Sequence, residues 1–256
     1  MTWVRCRRIR IRRIRQEVPS RGRLRPQMAE QVRRIRTARV AAVCPTMSSR
    51  RILDISPDVL TPGVVDEAAR LLRDRQLVVA PTETRYGLLA RADSPAAVDR
   101  LCQAKMRGER HPVAVFASSA EEIGRLAVLS EDATRLSRRF LPGPLTLVLT
   151  ARVDWPAPLV INGKIGVRWS SSPVIGALLT ATGTPLTATS ANLSGQGERE
   201  RVEDVAQDFG EAVALYLNGG PLTGATSTVV DCTADHIRVL REAAIEAAAL
   251  EAALKG

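Results

Sequence analysis

Residues 77–88 read Leu-Val-Val-Ala-Pro-Thr-Glu-Thr-Arg-Tyr-Gly-Leu. Four apolar residues run up to Pro81. An apolar run that short, bounded by proline, reads as a buried strand rather than a helix. What leaves it is a hydroxyl, a carboxylate, a second hydroxyl and a glycine, at Thr82, Glu83, Thr84 and Gly87. Strand ends carrying such groups are where α/β proteins bind ligands. A polar turn without function has the same composition, so the stretch alone leaves both readings open.

Upstream, residues 64–75 place apolar side chains at Val64, Val65, Ala68, Ala69, Leu71 and Leu72, the stripe of an amphipathic helix. Downstream, Ser94 and Pro95 open a second helix as N-cap and first residue, running toward Lys105. Pro112 stops any helix that reaches it, and 113–116 reads as a strand. Helical patterns follow at 121–126 and 131–140, a rigid turn at 141–144 and a strand at 145–150. A strand at 165–169, a helix at 173–180 and strands at 186–189, 213–217, 228–231 and 237–240 complete the alternation. An Ala-rich helix is expected at 242–254. The fold class is therefore α/β.

Composition agrees. The 256 residues are 45% hydrophobic and 25% charged, as in a soluble globular protein of one domain or two small ones. Aromatics are 3%, so the core must come from Leu, Val, Ile and Ala. No apolar run approaches the roughly 20 residues of a membrane span. The four cysteines form no C-x-x-C pair and there are two histidines, which argues against structural zinc. Nothing resembles a signal peptide, so the chain reads as cytoplasmic with reduced thiols, and Cys102 and Cys232 as buried small residues.

Charge divides the chain. Residues 1–50 hold 15 arginines, no lysine and two acids, which is +13. The net charge is +10, so the remaining 206 residues carry −3. Residues 1–50 are expected to form a disordered extension and 51–256 the folded domain. Three readings of the extension stay open: a basic arm that binds RNA, an Arg-rich targeting peptide, or a stretch upstream of a true start at Met47. Arginine without lysine favours the last.

No phosphate loop, dinucleotide fingerprint or nucleophile elbow occurs. Besides 81–88, three clusters carry chemistry. Lys105-Met106-Arg107, followed by Arg110 and His111, suits phosphate oxygens, or is a solvated helix end. In Thr187-Ala188-Thr189-Ser190-Ala191-Asn192, alternation puts Ser190 and Asn192 on one face, suited to phosphate or nucleobase, or to an ordinary exit turn. Arg168 ends the apolar strand Gly166-Val167-Arg168 and needs a carboxylate or phosphate partner unless it reaches water. Ser227, before Thr-Val-Val-Asp, and Arg241 add a similar hydroxyl and guanidinium.

Together and in this order, P-T-E-T-R-Y-G-L (81–88), Lys105 with Arg107, L-P-G-P-L-T-L-V-L (141–149), G-V-R (166–168), S-A-N-L-S-G (190–195), S-T-V-V-D (227–231) and Leu240-Arg241 resemble the YrdC-like threonylcarbamoyl-AMP synthases. The resemblance covers roughly 52–245, in the short, single-domain form. It implies a single domain with a twisted, open, mixed sheet, flanking helices and a deep, positively lined cavity. It implies a nucleotidyltransferase that joins L-threonine, bicarbonate or CO₂, and ATP into threonylcarbamoyl-AMP and pyrophosphate. Partner proteins then transfer the group to tRNA. Carried over, Thr84, Arg168 and Ser227 would contact threonine, and Lys105, Arg107, Ser190 and Asn192 the nucleotide phosphates, with His111 and Arg241 also on the nucleotide. Mg²⁺ would arrive with ATP, held by its phosphates and not by protein ligands.

The chain departs from that pattern at Arg85, usually apolar; at His111, commonly Asn or Lys; at Phe116, often His; and at Ala243, usually Gly. Residues 196–201 are charged where Pro, Ser and Thr are usual. A non-enzymatic RNA-binding protein of the same fold is the alternative, which the basic arm would favour. The Lys105–Arg107–Ser190–Asn192 set, Thr84 and Arg168 favour the enzyme.

Overall fold

In the computed structural model, residues 51–255 are described, apart from 57, 59 and 107–110. The strands are β1 Ile52–Asp54, β2 Val78–Pro81, β3 Tyr86–Leu89, β4 Ala114–Phe116, β5 Ala127–Val128 and β6 Leu145–Ala151. They continue as β7 Val160–Ile161, β8 Lys164–Arg168, β9 Leu186–Ser190, β10 Leu215–Asn218, β11 Thr228–Asp231 and β12 Arg238–Arg241. The helices are α1 Pro62–Arg73, α2 Pro95–Ala104, α3 Ala120–Leu126 and α4 Glu131–Phe140. After them come α5 Pro173–Thr182, α6 Val202–Phe209 and α7 Ala247–Lys255.

The strands form one open, twisted sheet in the order β1-β10-β2-β3-β9-β4-β8-β6-β11-β12, with β5 on β6 and β7 on β8. It is mixed: β10 pairs parallel with β1 and β2, β4 with β8 and β11 with β6, and the other pairs are antiparallel. The expected single α/β domain with a mixed sheet and flanking helices is what forms.

The strand read from 77–80 explains the layering. All of β2 is buried, so both its faces must be covered. Period-two alternation sends Val79 into one apolar cluster and Val78 and Ala80 into another. The second cluster is closed by Val65, Ala68 and Leu72 of α1 and by Val174, Ile175, Leu178 and Leu179 of α5. Among the described residues, Leu, Val, Ile and Ala dominate both clusters, as the low aromatic content required. Helix starts follow local chemistry: the hydroxyls of Ser119 and Ser130 accept from the third backbone N–H beyond them. Ser94 and Pro95 do open α2, although Ser94 makes no side-chain cap bond.

Several expectations need correction. The C-terminal helix starts at Ala247, not at 242. The Thr228 hydroxyl accepts from the backbone N–H groups of Ala243 (3.1 Å) and Ile245 (2.9 Å), which pins 243–245 as a turn. The Glu242 carboxylate then accepts from the Ala247 N–H at 2.9 Å. Cys102 is half-buried, whereas Cys232 is buried as expected. Helix α6 is an addition to the expected elements; Val202, Val205, Ala206 and Phe209 have helical spacing and are buried. The arm at 1–50, with Cys6 and Cys44, and the cations Arg107 and Arg110 lie outside the described residues. Among the described residues no helix is long and apolar enough to cross a membrane.

Candidate active site

The polar residues after β2 form a tight turn because β3 runs back antiparallel beside it. The Thr82 hydroxyl accepts from the backbone N–H groups of Thr84 and Arg85, both at 3.1 Å, and donates to the Arg85 carbonyl at 2.6 Å. Thr84 and Glu83 are thereby presented to the end of β8. Arg168 there is buried; its Nη2 donates to the Thr84 hydroxyl at 3.0 Å and pairs with Glu83 Oε1 at 2.9 Å. Glu83 also accepts from the Ser170 hydroxyl and from the Ser171 N–H at 3.2 Å.

Parallel pairing of β4 and β8 sets Phe116 opposite Arg168, and the guanidinium carbon lies 5.7 Å from the ring centroid. The partner that a buried arginine needs thus comes from the protein. One donor is left over: Arg168 Nε is buried and makes no hydrogen bond.

A second group gathers where β11 enters the sheet. Ser227 precedes β11, which pairs with β6, and the hydroxyls of Ser227 and Thr146 are 3.0 Å apart. Arg241 of β12 donates from Nε to the Ser227 carbonyl and from Nη2 to its hydroxyl, each at 3.0 Å. Burial pushes the Arg241 pKa down; Glu198 opposes that shift, and the neighbouring charge of Arg168 adds to it.

The third group is the exit of β9. The Ser190 hydroxyl donates to Asn192 Oδ1 at 2.5 Å, and the Asn192 amide donates to the carbonyls of Leu193 (3.3 Å) and Gln196 (2.8 Å). Ser190 and Asn192 therefore meet through a hydrogen bond in the turn after β9, which ends at Ser190, and not by alternation along one strand face. Lys105 caps α2 and is 2% exposed, with Nζ on the carbonyls of Ser190 and, at 2.8 Å, of Asn192. The cation reaches the main chain of 190–192 instead of lining the cavity. Its expected companion Arg107 lies outside the described residues.

These groups border one cavity of about 540 Å³. Thr84, Arg168, Ser190, Ser227 and Arg241 all line it. Lys105, Asn192 and His111 do not; His111 is exposed, and its neighbour Pro112 is at the wall instead. The charged lining is Arg85, Lys164, Arg168, Arg238 and Arg241 against Glu198 and Asp231, so cations predominate.

Asp231 takes Lys164 at 3.1 Å and Arg238 at 3.2 Å. Burial works against its ionisation, but the hydroxyl and N–H of Thr233, and then Lys164, outweigh burial and hold the carboxyl below its ordinary value. Sequence reasoning put Glu83 in a candidate ligand-binding turn without a partner, and assigned no site role to Thr146, Lys164, Asp231, Arg238 or the Arg85–Glu198 contact. For the last a signal existed: Arg85 and the charged 196–201 segment were both departures from the family pattern, with opposite charges available to pair.

The family model described as "Telomere recombination", for Sua5, YciO and YrdC proteins, matches residues 70–243. The chain belongs to the Sua5/YciO/YrdC family. Every motif from Pro81 to Arg241 that carried the resemblance falls inside the matched Sua5/YciO/YrdC region. The chain is 34% identical to the threonylcarbamoyl-AMP synthase of Bacillus subtilis, over 81% of this chain and 61% of that protein. It is 37% identical to the threonylcarbamoyl-AMP synthase of Pyrococcus abyssi, over 65% of this chain and 50% of that one. The crystal structure of P. abyssi Sua5 complexed with L-threonine superposes with a TM-score of 0.74 at 33% identity, over 79% of this chain and 60% of the other. The chain thus spans between half and about three-fifths of the length of these Sua5 relatives.

Proposed function

We propose that the chain is an L-threonylcarbamoyl-AMP synthase, a nucleotidyltransferase that uses L-threonine, bicarbonate or CO₂, and ATP. The observation that carries this reading is the buried Arg168 guanidinium at the cavity wall, with Nε unpartnered and the Thr84 hydroxyl beside it. A small carboxylate satisfies that donor, and a charged hydrogen bond there contributes about 1.5–3 kcal/mol. Kinship with named threonylcarbamoyl-AMP synthases, and with a Sua5 structure that holds L-threonine, supports threonine as the carboxylate.

In this reading Arg168 and Thr84 hold the threonine carboxylate, and the paired hydroxyls of Ser227 and Thr146 lie within the same cavity for the rest of the amino acid. The threonine amine adds to CO₂, forming the N–C bond of a carbamate and releasing a proton. A carbamate oxygen then attacks the α-phosphorus of ATP, and the bond to pyrophosphate breaks. No protein nucleophile is needed, so the chain's work is alignment and charge neutralisation. Ser190 and Arg241 take the nucleotide side from the cavity wall, with Asn192 hydrogen-bonded to Ser190, while Arg107 and His111 are assigned to the nucleotide by the family resemblance alone. Lys105 fixes the 190–192 main chain from behind and adds its charge there.

Mg²⁺, carried by the ATP phosphates, would neutralise phosphate charge with its own phosphate and water oxygens as ligands. The product, a reactive mixed anhydride, calls for a partner protein that passes the threonylcarbamoyl group to tRNA. The test is pyrophosphate release by the purified chain. Release should require threonine and bicarbonate together, and equal ATP consumption without threonine would sink the reading.

A further inference from the structure

Arg85 stands in the turn between β2 and β3, one residue from Thr84, and its side chain is 18% exposed. Its Nε lies 3.2 Å from Glu198 Oε2, and its Nη1 lies 3.3 Å from Glu200 Oε1. The same Nη1 donates to the Leu222 carbonyl at 2.6 Å. One guanidinium therefore gathers two loops, 196–201 and 219–224, which the Leu222 N–H to Glu200 carbonyl bond (2.8 Å) also joins.

Both loops lead to the site. The first runs on from Asn192, whose amide holds the Gln196 carbonyl at 2.8 Å. The second is tied down by Tyr86, whose hydroxyl donates to the Gly220 carbonyl at 2.6 Å and accepts from the Gly219 N–H at 3.1 Å. Arg85 and Glu198 line the cavity together with Ser190 and Arg241, and the field of Glu198 is felt at Arg241.

We propose that Arg85 is a positioning and charge-compensating residue for the nucleotide: it holds Glu198 at the cavity wall and Glu200 beside it and offsets their charge, so that ATP phosphates are admitted beside Ser190. That the polyanion is ATP rests on the synthase reading; the charge compensation would serve any polyanion at this wall. Carboxylates at a wall that must accept a polyanion repel it unless a cation is fixed against them. Arginine suits the task better than lysine because its planar fork serves several acceptors at once. Threonine carries no phosphate and docks at Arg168, so its binding does not depend on this compensation.

The test compares affinities for ATP with Mg²⁺, measured without threonine, and separately for threonine, by calorimetry on the full chain. Thermal melts verify that each variant folds. Arg85→Ala should weaken ATP binding about tenfold while threonine affinity stays within about twofold. Adding Glu198→Gln and Glu200→Gln to Arg85→Ala should restore ATP affinity to within about threefold of the wild type. Arg85→Met, which keeps the buried stem, takes the place of Arg85→Ala if the latter does not fold.

Equal losses for ATP and threonine would show a merely structural role and overturn the proposal. So would unchanged ATP affinity in a folded Arg85 variant, failure of the two Gln substitutions to restore it, or a wild-type chain that binds no ATP. Because no turnover is measured, the result stands apart from the pyrophosphate test. ATP binding with the expected pattern but no threonine-dependent pyrophosphate would overturn the synthase reading alone.

Discussion

The Arg168 guanidinium donates to the Thr84 hydroxyl at 3.0 Å across 84 positions of sequence. The same guanidinium pairs with Glu83, leaving Nε as a buried donor without a partner. A strand end and a turn are thereby locked together around a buried guanidinium that keeps one donor unused.

Replacing Arg168 should affect threonine far more than nucleotide. Arg168→Ala removes a charged hydrogen bond and should weaken threonine binding about tenfold to a hundredfold. Arg168→Lys should not restore it, because a point charge cannot serve Thr84, Glu83 and a ligand together. Calorimetry with threonine and with ATP separates the two effects; unchanged threonine affinity would refute the role of Arg168.

The exit of β9 should be equally sensitive. Asn192→Ala deletes the contacts to Ser190 and Gln196 that shape 190–196 and should lower the pyrophosphate rate at least about tenfold, with the melting temperature shifted by only a few degrees. Lys105→Met should do more harm to the fold, since it takes the buried cation away from two part-buried carbonyls, at a cost of about 1–3 kcal/mol. Steady-state rates set beside chemical denaturation distinguish the two variants. A fully active Asn192→Ala enzyme would place the phosphates elsewhere.

Asp231 gives a pH-dependent stability term. Its carboxyl titrates below the ordinary value, so its contribution is complete above that value, about pH 3.9, and fades as pH falls through the lowered folded value. Asp231→Asn should therefore be destabilised relative to wild type at neutral pH, and the gap should narrow under acid. Urea denaturation at a series of pH values reads this directly. A gap that widened on acidification would contradict the assigned direction.

Gly219 tests the approach of the 219–224 loop to β2. A Cβ at this position would lie 2.7 Å from Pro81 Cγ, in a ring that cannot swing away. Gly219→Ala should cost about 1–3 kcal/mol through overpacking. Gly197→Ala is the control, since nothing lies within 4 Å of its Cβ position. Thermal melts of the two should differ clearly, and equal melts would mean that the loop moves aside without cost.

Much of the fold was legible because its signals are local. Helix α4 and strand β11 appear at their expected bounds, since a serine cap and a β-branched run announce them within a few residues. Strand β3 was less legible: Tyr86–Leu89 is an apolar continuation of a polar turn, and only its pairing with β2 and β9 makes it a strand. The expected C-terminal helix was too long because propensity favours 242–246, whereas Thr228, a distant residue, holds that segment in a turn. In the site, Ser190 and Asn192 are close enough in sequence to be read as neighbours, although their contact forms in the turn after β9 and not along the strand; the carbonyls that hold Lys105 could not be read.

Sequence alone determined the fold class, the apolar faces of α1 and β2, and which residue types could meet a carboxylate or a phosphate, because side-chain periodicity and turn chemistry are properties of adjacent residues. Tertiary structure alone decided the partners of each buried charge: Glu83 for Arg168, Asp231 for Lys164 and Arg238, and Glu198 and Glu200 for Arg85. The reason is that an ion pair is set by distance in space. Here that distance depends on strand order and register, which brought Phe116 opposite Arg168 and Thr146 beside Ser227 through pairings that no local stretch encodes.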